Sequence, residues 1–220
     1  MVKTAAEGAD WERMNRFEYE MSTQKLCDII ADFCSQYKMD DDVEKKLSEE
    51  YHVAFSAWAI SSVDLTDFLE SGKVKHPSNL VKKRIELLEK DAGSSRYRDW
   101  RLSAKHLSEI IGKACDSVRS ESKNEDDQWL EDIDEYLWNT IAPKYVAEAC
   151  DVMKSLDYFK ARDPVSLTFS KWRHIQRLRG ASSGRRSSKS GSSGRSKSRS
   201  RSRSGGRRRS KSSRRENQTR

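Results

Sequence analysis

The sequence predicts an all-helical body followed by a polar, basic tail. Apolar residues recur every three or four positions through the first 179 residues, which places them on one face of an α-helix. The 220 residues include only three prolines, and no stretch alternates apolar and polar side chains in the manner of a β-strand. The fold class that these observations predict is all-α.

The first half of the body carries two apolar stripes at helical spacing. One runs through residues 11–37. The other runs from Asp41 to Leu69 and predicts a single helix of roughly 30 residues, about 45 Å long. Gly72 is predicted to end this second helix, because glycine readily adopts the left-handed conformation that commonly follows a helix. Ser78 is predicted to cap the helix that comes next.

The second half of the body predicts four more helices and a short final segment. Their apolar stripes occupy residues 80–88, 100–118, 129–141, 145–156 and 169–175. Pro143 suits the first turn of a helix, where its missing N–H is not needed. Polar residues 120–127 predict a loop, and Asp163-Pro164 predicts a break before the final segment. Long helices joined by short connections favour antiparallel hairpins packed in bundles.

Charge divides the chain into two predicted domains. Residues 1–179 hold 28 Lys and Arg against 34 Asp and Glu, a net charge of −6, whereas residues 180–220 hold 15 basic residues against Glu216 alone, a net charge of +14. The tail has no aromatic residue, so it lacks the apolar surface that could offset about 1–2 kcal/mol of ordering entropy per residue. We expect a helical assembly domain over 1–179 and a disordered Ser/Arg-rich tail over 180–220.

The composition of the tail predicts that it binds nucleic acid. Arginine and lysine spaced one or two residues apart on a flexible chain neutralise phosphates without reading bases, and the absence of aromatic residues excludes base stacking. The predicted phosphate-binding residues are Arg185, Arg186, Arg195, Lys197, Arg199, Arg201, Arg203, Arg207, Arg208, Arg209, Lys211, Arg214 and Arg215.

Serines between these basic residues predict control by phosphorylation. Each phosphate adds roughly −1.5 to −2 charge, so about seven to nine phosphoserines would cancel the charge of the tail. The candidate sites are Ser196, Ser198, Ser200, Ser202, Ser204 and Ser210. Phosphorylation would therefore change the tail from a nucleic-acid-binding state to an inert one.

The body carries no recognisable catalytic or metal-binding motif. Its histidines form no HExxH array, its glycines are isolated, and its four cysteines lack CxxC spacing and predict no disulfide framework. The acidic cluster within residues 125–134 fits the start of a helix better than a metal site. We expect no enzyme, no metal and no cofactor. The lack of a long apolar run or a signal peptide predicts an intracellular chain that does not insert into membranes.

Four features follow one another along the chain. The first is residues 45–72, KKLSEEYHVAFSAWAISSVDLTDFLESG, which contain an AxxxW segment. The others are residues 134–138 (DEYLW), residues 145–159 and the Ser/Arg-rich terminus. In this order they resemble the core (capsid) proteins of hepadnaviruses and the related fish nackednaviruses. The first segment resembles that family's first spike helix. The second resembles the LLW motif late in its second spike helix, and the third resembles its interdimer helix.

The resemblance implies a homodimer held by a four-helix bundle of paired hairpins, with Phe55, Trp58 and Leu65 in or near that bundle. The hairpin tip would lie at residues 71–78 or at residues 120–127. Dimers would then join into a closed icosahedral shell. The residues that the resemblance places near the interdimer contact are Tyr158, Phe159, Arg162, Pro164 and Phe169. For each aromatic residue in these two sets, the alternative is the core of a single chain.

The resemblance also implies partners and locations. The tail would line the inside of the shell and package viral RNA or DNA, and host Ser/Arg kinases and nuclear import receptors would act on it. The protein would occur in the virion, in the host cytoplasm and in the nucleus.

Two other classes of protein share parts of this pattern. A cellular RS-domain adaptor of RNA processing has the same kind of tail, but it would normally add an RNA-recognition fold, for which no aromatic-rich strand is present. A nucleocapsid protein of another virus group would carry basic residues along an RNA groove in its body.

Overall fold

The computed structural model of the chain describes residues 11–91, 95–120 and 127–184, and every regular element within these ranges is helical. The all-α prediction is confirmed. The α-helices are α1 (Trp11–Tyr19), α2 (Thr23–Gln36), α3 (Asp41–Lys45), α4 (Val53–Ile60), α5 (Val63–Glu70), α6 (Pro77–Asp91), α7 (Ala104–Arg119), α8 (Gln128–Thr140), α9 (Pro143–Lys154) and α10 (Pro164–Gly184). A π-helical turn occupies Lys46–Glu50, and 3-10 turns occupy Ser95–Arg98, Trp100–Leu102 and Tyr158–Lys160.

Helix α4 lies at the centre of the body. All eight of its residues are buried, because the segment VAFSAWAI is apolar on every side rather than on one face. Helices α1, α2 and α6 pack against it. Helix α7 packs against α8 and α9, while α1 also contacts α9 and α2 also contacts α8. These shared helices join the two halves of the body around one hydrophobic core.

The single long helix predicted from Asp41 to Leu69 is wrong, and its first break falls at Tyr51 and His52. Both residues are buried, and the backbone of Tyr51 is extended. The His52 amide donates a hydrogen bond to the Tyr97 carbonyl at 3.3 Å. The Nδ1 atom of His52 accepts one from the Ala54 amide at 3.2 Å and so caps α4. The break depends on a distant segment of the chain, which the local apolar pattern does not encode.

The second break separates α4 from α5. The Ser61 hydroxyl donates to the Ala57 carbonyl at 2.6 Å within the last turn of α4. The Arg84 guanidinium on α6 then donates from Nε to the Ala59 carbonyl at 3.4 Å and from a terminal nitrogen to Ser62 Oγ at 2.7 Å. Carbonyls at a helix end lack partners within the helix, and here α6 supplies one.

Two predicted helix boundaries are confirmed and one is wrong. Gly72 follows α5 in the left-handed conformation, with φ of +68°. Pro143 is the first residue of α9. Helix α6, however, begins at Pro77, and the Ser78 hydroxyl does not cap it. That hydroxyl accepts a hydrogen bond from the Asp40 amide at 3.1 Å, so it links α6 to the start of α3.

The segments before and after α7 also differ from expectation. Trp100 lies in a separate 3-10 turn and not, as the apolar pattern predicts, inside this helix. Ser103 ends that turn and caps α7, because its hydroxyl accepts a hydrogen bond from the His106 amide at 3.3 Å. The predicted loop at residues 120–127 falls largely outside the described residues. The final helix is longer than predicted and spans Pro164–Gly184. No helix in the described ranges has both the length and the apolar character needed to cross a bilayer.

Candidate assembly and nucleic-acid interfaces

The three residues assigned to the dimer bundle lie in the core of the single chain. Phe55 is completely buried, and Trp58 and Leu65 are buried as well. The Phe55 ring stacks on the Tyr97 ring, with centroids 4.9 Å apart and planes 16° from parallel, and its centroid lies 5.8 Å from that of Trp58. A contact between two chains through these side chains would require the core to open. In this structure they stabilise the chain itself.

The residues assigned to the interdimer contact lie close together, from the 3-10 turn after α9 to the first turns of α10, and some of them anchor that region. Tyr158 is 2% exposed, its ring lies 5.3 Å from the Trp129 ring, and its hydroxyl lies 2.8 Å from Thr168 Oγ1. Pro164 is also buried, and its carbonyl accepts a hydrogen bond from the same Thr168 hydroxyl at 2.9 Å. These contacts hold the turn against α8 and α10.

Helix α8 supports this region through its YLW residues. The Tyr136 ring stacks on the Phe169 ring of α10, with centroids 3.8 Å apart, so Phe169 is half-buried. Leu137 is buried, and the Trp138 indole donates a hydrogen bond to the side-chain oxygen of Gln24 on α2. All three residues of this motif therefore serve the packing of one chain.

Phe159 and Arg162 are the two exposed members of the predicted interdimer set. Phe159 is 57% exposed, although its neighbour Tyr158 is buried. The Ala161 amide donates to the Tyr158 carbonyl at 3.1 Å and closes the 3-10 turn. The turn therefore holds the backbone of Phe159 in place while much of its ring remains accessible to another molecule.

A buried ion cluster that the sequence analysis missed connects α1, α9 and the start of α4. Glu18 is buried, and its Oε1 lies 3.0 Å from Lys144 Nζ and 3.8 Å from His52 Nε2. Burial alone would raise the pKa of Glu18, but the Lys144 ammonium and the nearby His52 imidazole outweigh it and lower that pKa to about 2. The available signal was an acidic residue four positions after Met14 on the buried face of α1.

We expect Glu18→Gln to lower the free energy of unfolding at neutral pH. The variant should then lose much less stability on acidification than the original chain does. The folded state takes up the Glu18 proton at a lower pH than the unfolded state, with pKa values of about 2 and 4.5. The carboxylate therefore stabilises the fold by about 3 kcal/mol above pH 4.5, and this contribution disappears as the pH falls towards 2. Urea denaturation at pH 7 and at pH 3 measures the effect.

The matched control is Glu20→Gln, at an exposed position just beyond α1. It should keep the stability of the original chain at neutral pH, and it should lose as much stability in acid as that chain does. A Glu18→Gln variant with the original dependence on pH would show that this cluster does not contribute to stability.

The described residues contain no group of three or more His, Cys, Asp or Glu side chains placed to hold a metal ion. The predicted acidic cluster is only partly described, since residues 125–126 lie outside the described ranges. All four cysteines are free thiols. Burial raises the pKa of Cys115 to about 11 and that of Cys150 to about 12, so both remain protonated at neutral pH and are weak nucleophiles.

The predicted phosphate-binding and phosphorylation residues, from Arg185 to Arg215, all lie outside the described residues. Basic residues on α10, such as Arg173 and Arg177, are not among the predicted binding residues, because they belong to a body whose net charge is negative. Their signal was the absence of any acidic residue between Pro164 and Gly184. Comparison with protein-family models, with curated proteins and with solved structures gives no match for this chain.

Proposed function

We propose that the chain is a shell-forming capsid protein, of the type found in hepadnaviruses and nackednaviruses, that packages RNA or DNA through its tail. The observation that carries this proposal is the division of charge between a helical body of −6 and a tail of +14. The tail can neutralise phosphates, whereas an acidic body is repelled by them overall. This division suits a subunit that encloses nucleic acid with one part and holds it with another.

The turn around Phe159 supports the assembly part of the proposal. An aromatic ring that is more than half exposed on an anchored turn offers apolar area to another subunit, and burial of an aromatic side chain contributes 150–250 Å² of contact. Arg162 lies beside it and is exposed. Arginine and aromatic residues are enriched at protein–protein contacts. Subunits would first pair and then join through this turn into a closed shell.

The tail would act by counterion release. Each phosphate that a lysine or arginine neutralises frees a condensed cation, so binding should weaken steeply as salt rises and should not depend on base sequence. Phosphorylation of the tail serines would reduce the positive charge and release the nucleic acid. The full cycle therefore requires a kinase that recognises Ser/Arg repeats.

The test is the particle state of the purified full chain. We expect closed particles in negative-stain images, a large sedimentation coefficient, and a 260/280 nm absorbance ratio that shows enclosed nucleic acid. Phe159→Ala should leave the helical content unchanged and should shift the protein to small subunits, because each contact in the shell loses a buried ring.

The matched control for Phe159→Ala is Trp100→Ala, which removes an aromatic side chain of similar exposure, 58%, outside the predicted contact. It should assemble as the original chain does. Normal particles from Phe159→Ala would refute the role of this turn. Failure of the original chain to form particles, with or without nucleic acid, would favour a cellular RS-domain adaptor, whereas open filaments would favour a nucleocapsid protein of another virus group.

A further inference from the structure

Helix α10 has basic residues and no acidic residue along its whole length, Pro164–Gly184. Its four basic residues are Lys171, Arg173, Arg177 and Arg179. Arg179 forms an ion pair with Glu148 of α9 and lies 5.2 Å from the centre of the Tyr145 ring. The other three are exposed, and none of them is paired with a carboxylate of the described residues. Most of the positive charge on this helix therefore faces solvent without compensation.

The opposite side of α10 is fixed to the body. Trp172 is buried, and its ring lies 6.3 Å from the Tyr145 ring. At 100° per residue, Arg173, His174 and Arg177 fall between 100° and 160° of rotation away from Trp172, on the side that points to solvent. Lys171 lies at the edge of the same side. We call Lys171, Arg173, His174 and Arg177 the α10 basic face.

The arrangement of the α10 basic face has an energetic cost in the absence of a ligand. Arg173 and Arg177 stand four positions apart, so their side chains are neighbours on successive turns, and like charges at this spacing destabilise a helix. Counter-charges could come from an acidic residue on the same helix, but α10 contains none. An anion bound across the two guanidinium groups would relieve the repulsion. Guanidinium groups match the oxygens of a phosphate particularly well.

We propose that the α10 basic face binds the phosphate backbone of the nucleic acid that the tail neutralises, and so forms an ordered part of the binding surface. This inference rests on the proposed function, because it takes the same ligand. It goes beyond it in assigning phosphate contacts to the folded body. Because these contacts involve no tail serine, phosphorylation of the tail would leave them in place. Arg177 precedes the first tail arginine, Arg185, by eight positions in the sequence.

The test uses three variants of the full chain that each lose three positive charges. The first changes the α10 basic face (K171Q, R173Q and R177Q), the second changes the tail (R199Q, R201Q and R203Q), and the third changes exposed lysines elsewhere on the body (K25Q, K105Q and K113Q). Binding of a single-stranded poly(U) RNA is measured by fluorescence anisotropy at several salt concentrations. The slope of log K against log salt counts the phosphates that are neutralised, at about 0.7 for each contact with a single strand.

We expect the α10 variant to flatten this slope by about 2, since three contacts are lost, and the body variant to leave it unchanged. An α10 variant with the slope of the body variant would overturn this inference and leave the proposed function standing. A tail variant with the slope of the body variant would instead overturn the proposed role of the tail. If the α10 variant kept its slope but altered particle assembly without nucleic acid, the face would bind the acidic surface of another subunit, which would also overturn the inference.

Discussion

Removal of residues 185–220 should lower the affinity for single-stranded RNA at moderate salt by at least about a thousandfold. All 15 basic residues of the tail lie in this segment. A protein that makes six to ten phosphate contacts loses affinity by a factor of about 10³–10⁵ when salt rises from 50 to 200 mM. Contacts of this kind therefore supply a large part of the binding free energy, and the truncation removes them. Truncation after Gly184 keeps the whole of α10. Fluorescence anisotropy at fixed salt measures the loss, and circular dichroism checks that the helical body is intact.

A graded pair of full-length variants provides the control for the truncation. Aspartate at the six candidate serines, from Ser196 to Ser210, reduces the tail from +14 to +8 and should give an intermediate affinity. Alanine at the same six positions keeps the charge and should bind as the original chain does. RNA binding by the truncated protein at the level of the full chain would show that the tail is not the principal binding element.

Phe55→Ala should destabilise the folded chain by about 3–5 kcal/mol, the usual cost of deleting a buried aromatic ring from a core. The expectation follows from its position at the centre of the body, where it is fully buried and stacked on Tyr97. Urea denaturation followed by circular dichroism measures the change. If Phe55 stabilises a single chain, the loss should be the same at low and high protein concentration.

Val63→Ala is the matched control, since Val63 begins the neighbouring helix α5 and is 64% exposed. Its effect should stay within about 0.5 kcal/mol. A Phe55→Ala variant that unfolds at the original urea concentration but dissociates into single chains on dilution would contradict the structure. It would place Phe55 in the dimer bundle that the family resemblance implies.

The amino-acid sequence by itself determined the fold class, two helix boundaries and the division of charge. Periodicity of apolar residues predicts helices because it reports a local geometry that each segment has on its own. Pro143 and Gly72 act equally locally, through the backbone angles they allow, and both occur at the predicted boundaries. The charges of the body and the tail are sums over the sequence and need no structure.

The tertiary structure alone decided the two breaks between Asp41 and Leu69. The spacing of apolar residues is compatible with a helix that continues through His52 and Ser62. In the structure, however, His52 donates a hydrogen bond to Tyr97 and Ser62 accepts one from Arg84, and these contacts favour breaks in the helix. The same limit hid the Glu18 cluster, whose members come from three separate segments. Partners that lie far apart in sequence become neighbours only when the helices pack, and no local pattern records that choice.

Whether each of two adjacent aromatic residues is buried or exposed was also decided only by packing. Tyr158 and Phe159 belong to one candidate contact in the sequence, yet one is buried against α8 and α10 and the other is more than half exposed. The net charge of the body likewise conceals Arg173 and Arg177 among more numerous acidic residues, whereas the orientation of α10 exposes both to solvent. Which side chains can meet another molecule depends on how the helices are oriented when they pack, and that orientation is set by the whole core.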